Sequence, residues 1–336
     1  MPTVLDVTLQ VNLSPGDISY AEMTVPALIQ AHRASVDATL AVVDCCKPQR
    51  TQKIEPERDY PEPEFSRRVE RIRAITSDLQ AAGYFDQVVY IHPGDALLRT
   101  LAKKYLRNVI TGTHDAKGTP ILAYLVPFEV ASSRYVVHYD ADMLLHQDPG
   151  YDWIVEATER MRKLPRAVIA TPRVSPPFAA YRNLPDATSL HEGPTPEFVD
   201  GGWLVNWFST RCFLMDRERL ALHLPLPQGR LLLELVARRM LNRNYPLSLE
   251  IMLCRRIGGE GGRRLDLRSE RAWILHPEDK GARFLQLLPA ILQAIAAGDI
   301  PPEQRGWENV KLPLWDEFLR QREGEQAAAT HEAKRR

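Results

Sequence analysis

Cysteine, net charge and long apolar runs are what this sequence has least of, and each lack removes a class of protein. The four cysteines, Cys45, Cys46, Cys212 and Cys254, never take the CxxC spacing of a structural zinc site. Cys45 and Cys46 read instead as small buried residues at a strand end, with reduced thiols. Lys plus Arg and Asp plus Glu each number 43, so no overall field draws the chain to polyanions or anionic membranes, and nucleic acid is not an expected partner. No segment approaches the roughly 18 uninterrupted apolar residues of a membrane span. The start, MPTVLDVTLQ, has neither a signal-peptide nor a myristoylation pattern. No basic amphipathic segment stands out, which weighs against a lipid acceptor, and no internal repeat is visible. A soluble, cytoplasmic protein is predicted.

What is present is enough apolar material, 44% of 336 residues, for one large α/β domain. VLDVTLQVN, MTVPALIQAHRAS and ATLAVVD read as strand, helix and strand, a βαβ opening. Residues 47–64 hold four prolines and many charges and read as a surface excursion. The spacing of Val69, Ile72, Ile75 and Leu79 predicts a helix that stops by Gly83, followed by a third strand at DQVVYIH. A helix over 95–105, a short strand near Val109 and a helix over 120–130 lead to a fourth strand, RYVVHYD. Such alternation predicts a mostly parallel, doubly wound twisted sheet with ligands at its carboxyl edge. Beyond it come a helix at 151–163, the strand AVIAT, an irregular acceptor region at 172–202, the segment WLVNWFSTRCFLMD, helices near 229–242 and 248–257, a strand pair around 263–275 and a helix at 282–297. The polar tail, 321–336, is expected to be disordered.

The densest chemical signal is an apolar strand running directly into Asp140-Ala-Asp142. Two carboxylates two residues apart at a strand end can reach one divalent cation, Mn²⁺ or Mg²⁺, and such a metal would neutralise a departing diphosphate. The bland alternative is a solvated acidic turn.

An amino-terminal βαβ ending in Asp44, followed about a hundred residues on by a strand-borne DxD, resembles the GT-A glycosyltransferases. The resemblance implies one domain over 1–280, donor-binding to about 145 and acceptor-binding or catalytic beyond, with a mixed acceptor-side portion and a helical extension over 281–320. It implies a UDP- or GDP-sugar donor and an unnamed acceptor. Asp44 would hold the nucleobase, although Cys45 follows it where an acid is common, and Asp44 could equally cap a turn. Lys117, before a helix start, would reach the sugar or diphosphate. His276 would complete the metal set of Asp140 and Asp142, and Lys280 would contact the diphosphate, at a spacing shorter than the HxxGxxK of one retaining branch. In PLSLEIMLCRRI, Glu250 would be the base of an inverting transfer with Arg256 six residues later, although Leu249 replaces the usual preceding acid. Otherwise Glu250 is a first-turn carboxylate. Asp200 is a competing base, Gly201 and Gly202 would let backbone approach a sugar closely, and Trp203 and Trp207 would stack on the acceptor.

Three other classes share parts of the pattern. A haloacid-dehalogenase-like phosphatase would carry its DxD near the amino terminus with Thr or Val where Leu144 stands. A nucleotidyltransferase would have a glycine-rich basic loop after the first strand, and LQVNLSPGDISY has none. A non-catalytic carbohydrate-binding protein would have no use for the acidic cluster and a late histidine together.

Overall fold

The computed structural model describes residues 6–178 and 196–333, with side chains through residue 325. In chain order the strands are β1 Val7–Leu13, β2 Ala38–Asp44, β3 Gln87–Ile91, β4 Tyr135–Asp140, β5 Leu144–Gln147, β6 Ala167–Thr171, β7 Glu197–Val199, β8 Gly202–Val205, β9 Cys212–Asp216, β10 Arg263–Leu267 and β11 Ala272–Leu275. The helices are α1 Ala21–His32, α2 Pro56–Asp59, α3 Glu64–Ala81, α4 Ala96–Leu106, α5 Val126–Val130, α6 Trp153–Lys163, α7 Arg217–Ala221, α8 Gly229–Met240, α9 Leu249–Leu253, α10 Ala282–Ala296 and α11 Leu312–Ala333.

Among the described residues, nine strands form one sheet in the order β3-β2-β1-β4-β9-β6-β10-β8-β7. The β1–β2, β1–β4, β2–β3 and β6–β10 pairs are parallel, and the pairs made by β9 and β8 are antiparallel. Only β8 and β9 therefore run against the rest. This is the expected α/β architecture of a mostly parallel sheet between helices, mixed in its second half. The parallel strands read as continuous apolar runs because helices cover both faces. One face buries Leu9, Val11, Ile29, Ile75, Trp153 and Ile291, and the other buries Val42, Leu101, Ile121, Phe213, Leu235 and Met252. Each such side chain contributes roughly 1.5–3 kcal/mol on leaving water.

Several expectations are corrected. No strand forms near Val109, because Arg107 and Asn108 take left-handed backbone (φ 53° and 56°) that closes α4 and breaks extension. The helix over 120–130 is a 3-10 turn, Ala123–Leu125, running into the short α5. The excursion at 47–64 contains one helical turn, α2. The strands near 263–275 do not pair with each other: β10 enters the main sheet, whereas β11 pairs with β5 in a separate ribbon. The tail expected to be disordered is helical through Ala333, in keeping with the helix propensity of its Ala- and Glu-rich sequence. Most of the irregular acceptor stretch, 179–195, lies outside the described residues.

Candidate functional site

Because β1, β2 and β4 are adjacent and parallel, their carboxyl ends share one edge. Asn12 stands opposite Asp140, and Leu13 opposite Val43, so Asp44 lies one residue beyond. A cavity of about 390 Å³ opens there, lined by Asn12, Asp17, Asp44, Tyr124, Asp140 and Asp142, with His276 and Lys280 reaching in from beyond β11. The β5–β11 ribbon makes this possible: β5 begins two residues after Asp142 and β11 ends one residue before His276, and Leu144 pairs with Leu275.

Each carboxylate is differently held. Asp140 accepts from the Tyr124 hydroxyl at 2.8 Å and faces His138 Nε2 at 3.2 Å. His138 Nδ1 contacts Gln10, which in turn donates to Asn12 Oδ1 at 2.7 Å, so a buried polar chain runs from Asp140 across to β1. Asp142 Oδ2 is contacted closely by the Lys280 ammonium and by His276 Nε2 at 3.4 Å. Burial opposes the charge on Asp142, but His276 and Lys280 outweigh it and hold the carboxyl below its ordinary range. Asp17 accepts from the backbone and hydroxyl of Ser14 and from Tyr20, yet burial raises it to about 6. Lys280 also lies 5.4 Å from the Tyr20 ring centre.

Asp44 faces two cavities at once, this one and a neighbour of about 290 Å³ walled by Pro48, Tyr60, Phe65, Arg68 and His114. Its Oδ1 accepts from Cys46 N–H at 2.9 Å, and burial pushes the carboxyl up to about 7. Burial pushes the nearby His114 down to about 4. Its Nε2 lies 3.5 Å from Asp44 Oδ2, too far for a strong hydrogen bond. A third cavity, about 300 Å³, adjoins through His276 and is lined by Trp207, Arg211, Glu250, Arg264 and Glu308. Glu250 sits in the first turn of α9 behind the Ser248 cap and accepts from Thr210 N–H at 2.9 Å and the Thr210 hydroxyl at 3.2 Å.

Among the described residues, three buried side-chain polar atoms without a hydrogen-bond partner, Asn12 Nδ2, Asp44 Oδ2 and Asp142 Oδ1, belong to residues lining the first cavity. A buried polar atom without a partner costs about 1–3 kcal/mol, so three of them at one cavity make it the candidate site.

No protein-family model and no curated protein sequence matches the chain. It is similar to a number of solved structures, three of which illustrate the range. The galactosyltransferase LgtC in complex with donor and acceptor sugar analogs shares 10% identity over 77% of this chain and 72% of that one, TM-score 0.37. UDP-glucose pyrophosphorylase complexed with UDP-glucose shares 9% over 78% and 89%, TM-score 0.38. Mannose-1-phosphate geranyltransferase from Thermus thermophilus shares 10% over 78% and 73%, TM-score 0.34. Likenesses this distant assign neither a reaction nor a residue.

The structure brings Asp44, Asp140, Asp142, His276 and Lys280 to one cavity and places Glu250 and Trp207 in the adjoining one. It separates others. Trp203 is 3% exposed on β8 and packs against Phe198, leaving no face for a sugar. Asp200 is exposed on the β7–β8 turn and pairs with Arg160, in neither cavity. A Cβ on Gly202 would stand 2.1 Å from the Asp266 carbonyl, so its smallness serves the β8–β10 pairing. Lys117 is an exposed turn residue that lines neither cavity, and no helix begins directly after it. Arg256 is occupied by Glu260 and the His223 carbonyl. Nor do Asp140, Asp142 and His276 converge as a ready ligand set: no group of three His, Cys, Asp or Glu among the described residues is placed to hold an ion. Asp140 is turned to Tyr124 and His138, and one oxygen of Asp142 to Lys280 and His276. The unpartnered Asp142 Oδ1 and the hard oxygen donors nevertheless fit a hard cation.

Sequence reasoning missed Asn12, Asp17 and Tyr124. SPGD follows β1 directly, so its strand-end position was a signal for Asp17; Tyr124, in a 3-10 turn, carried none.

Proposed function

We propose that this protein transfers a sugar from a nucleoside-diphosphate sugar to an acceptor hydroxyl. The donor would lie along the two cavities that Asp44 joins, and the acceptor in the cavity of Glu250. One observation carries the reading: the partnerless buried polar atoms of Asn12, Asp44 and Asp142 gather at the carboxyl edge of adjacent parallel strands, where doubly wound sheets bind ligands. Asp44 Oδ2, without a hydrogen-bond partner, would take a base N–H. Asp140 and Asp142, with His276, would hold Mn²⁺ or Mg²⁺, which would supply charge neutralisation to the diphosphate. Lys280, already within the cavity, is a second cation for the same phosphates. Glu250 Oε2, free of the Thr210 contacts, would accept the acceptor's proton in an inverting displacement.

The test is thermal. UDP or GDP with Mn²⁺ should raise Tm, since a ligand at 100 times its Kd adds about 2.7 kcal/mol to the native state. Asp142→Asn should abolish the gain and the turnover. No Tm gain from either nucleotide with Mn²⁺, in a protein that hydrolyses none of the common nucleotide sugars, would sink the proposal.

A further inference from the structure

α8 has apolar side chains on two opposite faces. Leu231 and Leu235, 6% and 0% exposed, are buried against the sheet-side core, whereas Leu233, Val236 and Met240 are 71%, 42% and 82% exposed, and Leu241 at the helix end is 68% exposed. At 3.6 residues per turn, Leu233, Val236 and Met240 fall within about 60° of one another, opposite the buried pair, and Arg230 and Arg239 stand roughly a quarter turn to either side. Arg230, Arg239 and Arg243 are exposed and form no ion pair among the described residues. The only acid between positions 229 and 248 is Glu234, and it is turned into ion pairs with Arg238, at 2.7 Å, and with Arg255. Within α8 the outward face is thus an apolar strip flanked by Arg230 and Arg239.

We propose that α8 lies in the plane of an anionic lipid surface, its Leu233–Val236–Met240 strip at the acyl boundary and Arg230, Arg239 and Arg243 on lipid phosphates. The charge pattern selects this occupant. A helix with apolar residues at its centre and long cationic side chains at its flanks can lower the strip past the headgroups while the guanidinium groups stay among the phosphates. A protein groove able to take the same face would have to present acid on both rims, whereas an anionic bilayer does so in every orientation. No helix among the described residues is long and apolar enough to cross a membrane, so the attachment is interfacial. A formal charge of zero makes the attraction local to α8, strong within a Debye length of the surface and screened by salt.

The full chain should be tested by flotation with phosphatidylcholine vesicles, with and without about 30% phosphatidylglycerol. It should bind the anionic vesicles and be released by high salt. Leu233→Ser with Met240→Ser, and separately Arg230→Glu with Arg239→Glu, should each lower the partition coefficient at least about tenfold. All four positions are exposed, so Tm and circular dichroism should stay as in the parent, which separates lost docking from lost fold. Failure of the parent chain to float with anionic vesicles would overturn the proposal, as would floating that both double variants retain. A concentration-dependent dimer in sedimentation velocity, abolished by the serine pair in a chain that ignores vesicles, would make the strip a self-association face instead.

Discussion

Glu250 can be tested apart from the fold that holds it, because glutamine keeps an oxygen to accept from Thr210 N–H and loses only the capacity to take a proton. Glu250→Gln should lower kcat by roughly 10²–10⁴ with donor affinity nearly unchanged, as expected of a group acting in the transition state. A first-turn carboxylate without a catalytic role would instead cost a few tenths of a kcal/mol of stability and leave kcat within a few-fold. Steady-state kinetics with the anomeric configuration of the product read by NMR decide it: an active Glu250→Gln enzyme giving retained configuration removes the base assignment. Asp44, Asp140 and Asp142 share a sequence signal: each stands where an apolar strand run stops, in two cases at the strand end itself. Glu250 instead opens α9 ahead of an apolar run, and the sequence pointed to it only through the resemblance. Asn12 and Tyr124 were illegible because a polar residue inside a strand or a turn shows no local sign of what lies across the cavity from it.

At the scale of elements, α8 separates pattern from placement. The sequence offers leucine at four of its positions, and helical periodicity allows either face to be the buried one; only packing against the second core chooses Leu231 and Leu235. Leu235→Ala should therefore destabilise the chain by about 2–4 kcal/mol, through lost burial and the cavity left behind, whereas Leu233→Ala should stay within about 0.5 kcal/mol. Urea denaturation of the two variants measures the difference, and equal losses would mean that α8 packs by its other face. The expectation that no basic amphipathic segment stands out is corrected here, since the leucines and arginines of α8 have amphipathic spacing; what the sequence leaves open is which apolar face is buried. β11 is a similar case: RRLDL and AWIL look like a local pair, but β10 finds a parallel partner in β6 and β11 an antiparallel one in β5.

For the molecule as a whole, the site leaves a mark on stability. Folding takes the Asp44 carboxyl from about 3.8 to about 7, so between those values the native state holds a proton that the unfolded chain has released. Stability from this residue therefore falls as pH rises from about 4 to 7, the reverse of a salt-bridged aspartate. Asp44→Asn should gain on the parent by roughly 1–3 kcal/mol between pH 5 and pH 8 in urea unfolding, and a difference that does not change with pH would mean that Asp44 is ionised in the fold. The sequence by itself determined the α/β class, the βαβ opening and the strand-end carboxylates, because alternation, periodicity and the stop of an apolar run are local properties. Only the tertiary structure decided that β9 enters antiparallel between β4 and β6, that the β5–β11 ribbon carries His276 and Lys280 to Asp142, that Trp203 is core and Asp200 remote, and that one side of α8 is left bare. Each of these depends on which distant segment supplies the covering surface or the opposite charge, and residues far apart in sequence acquire that relation only when the sheet is assembled.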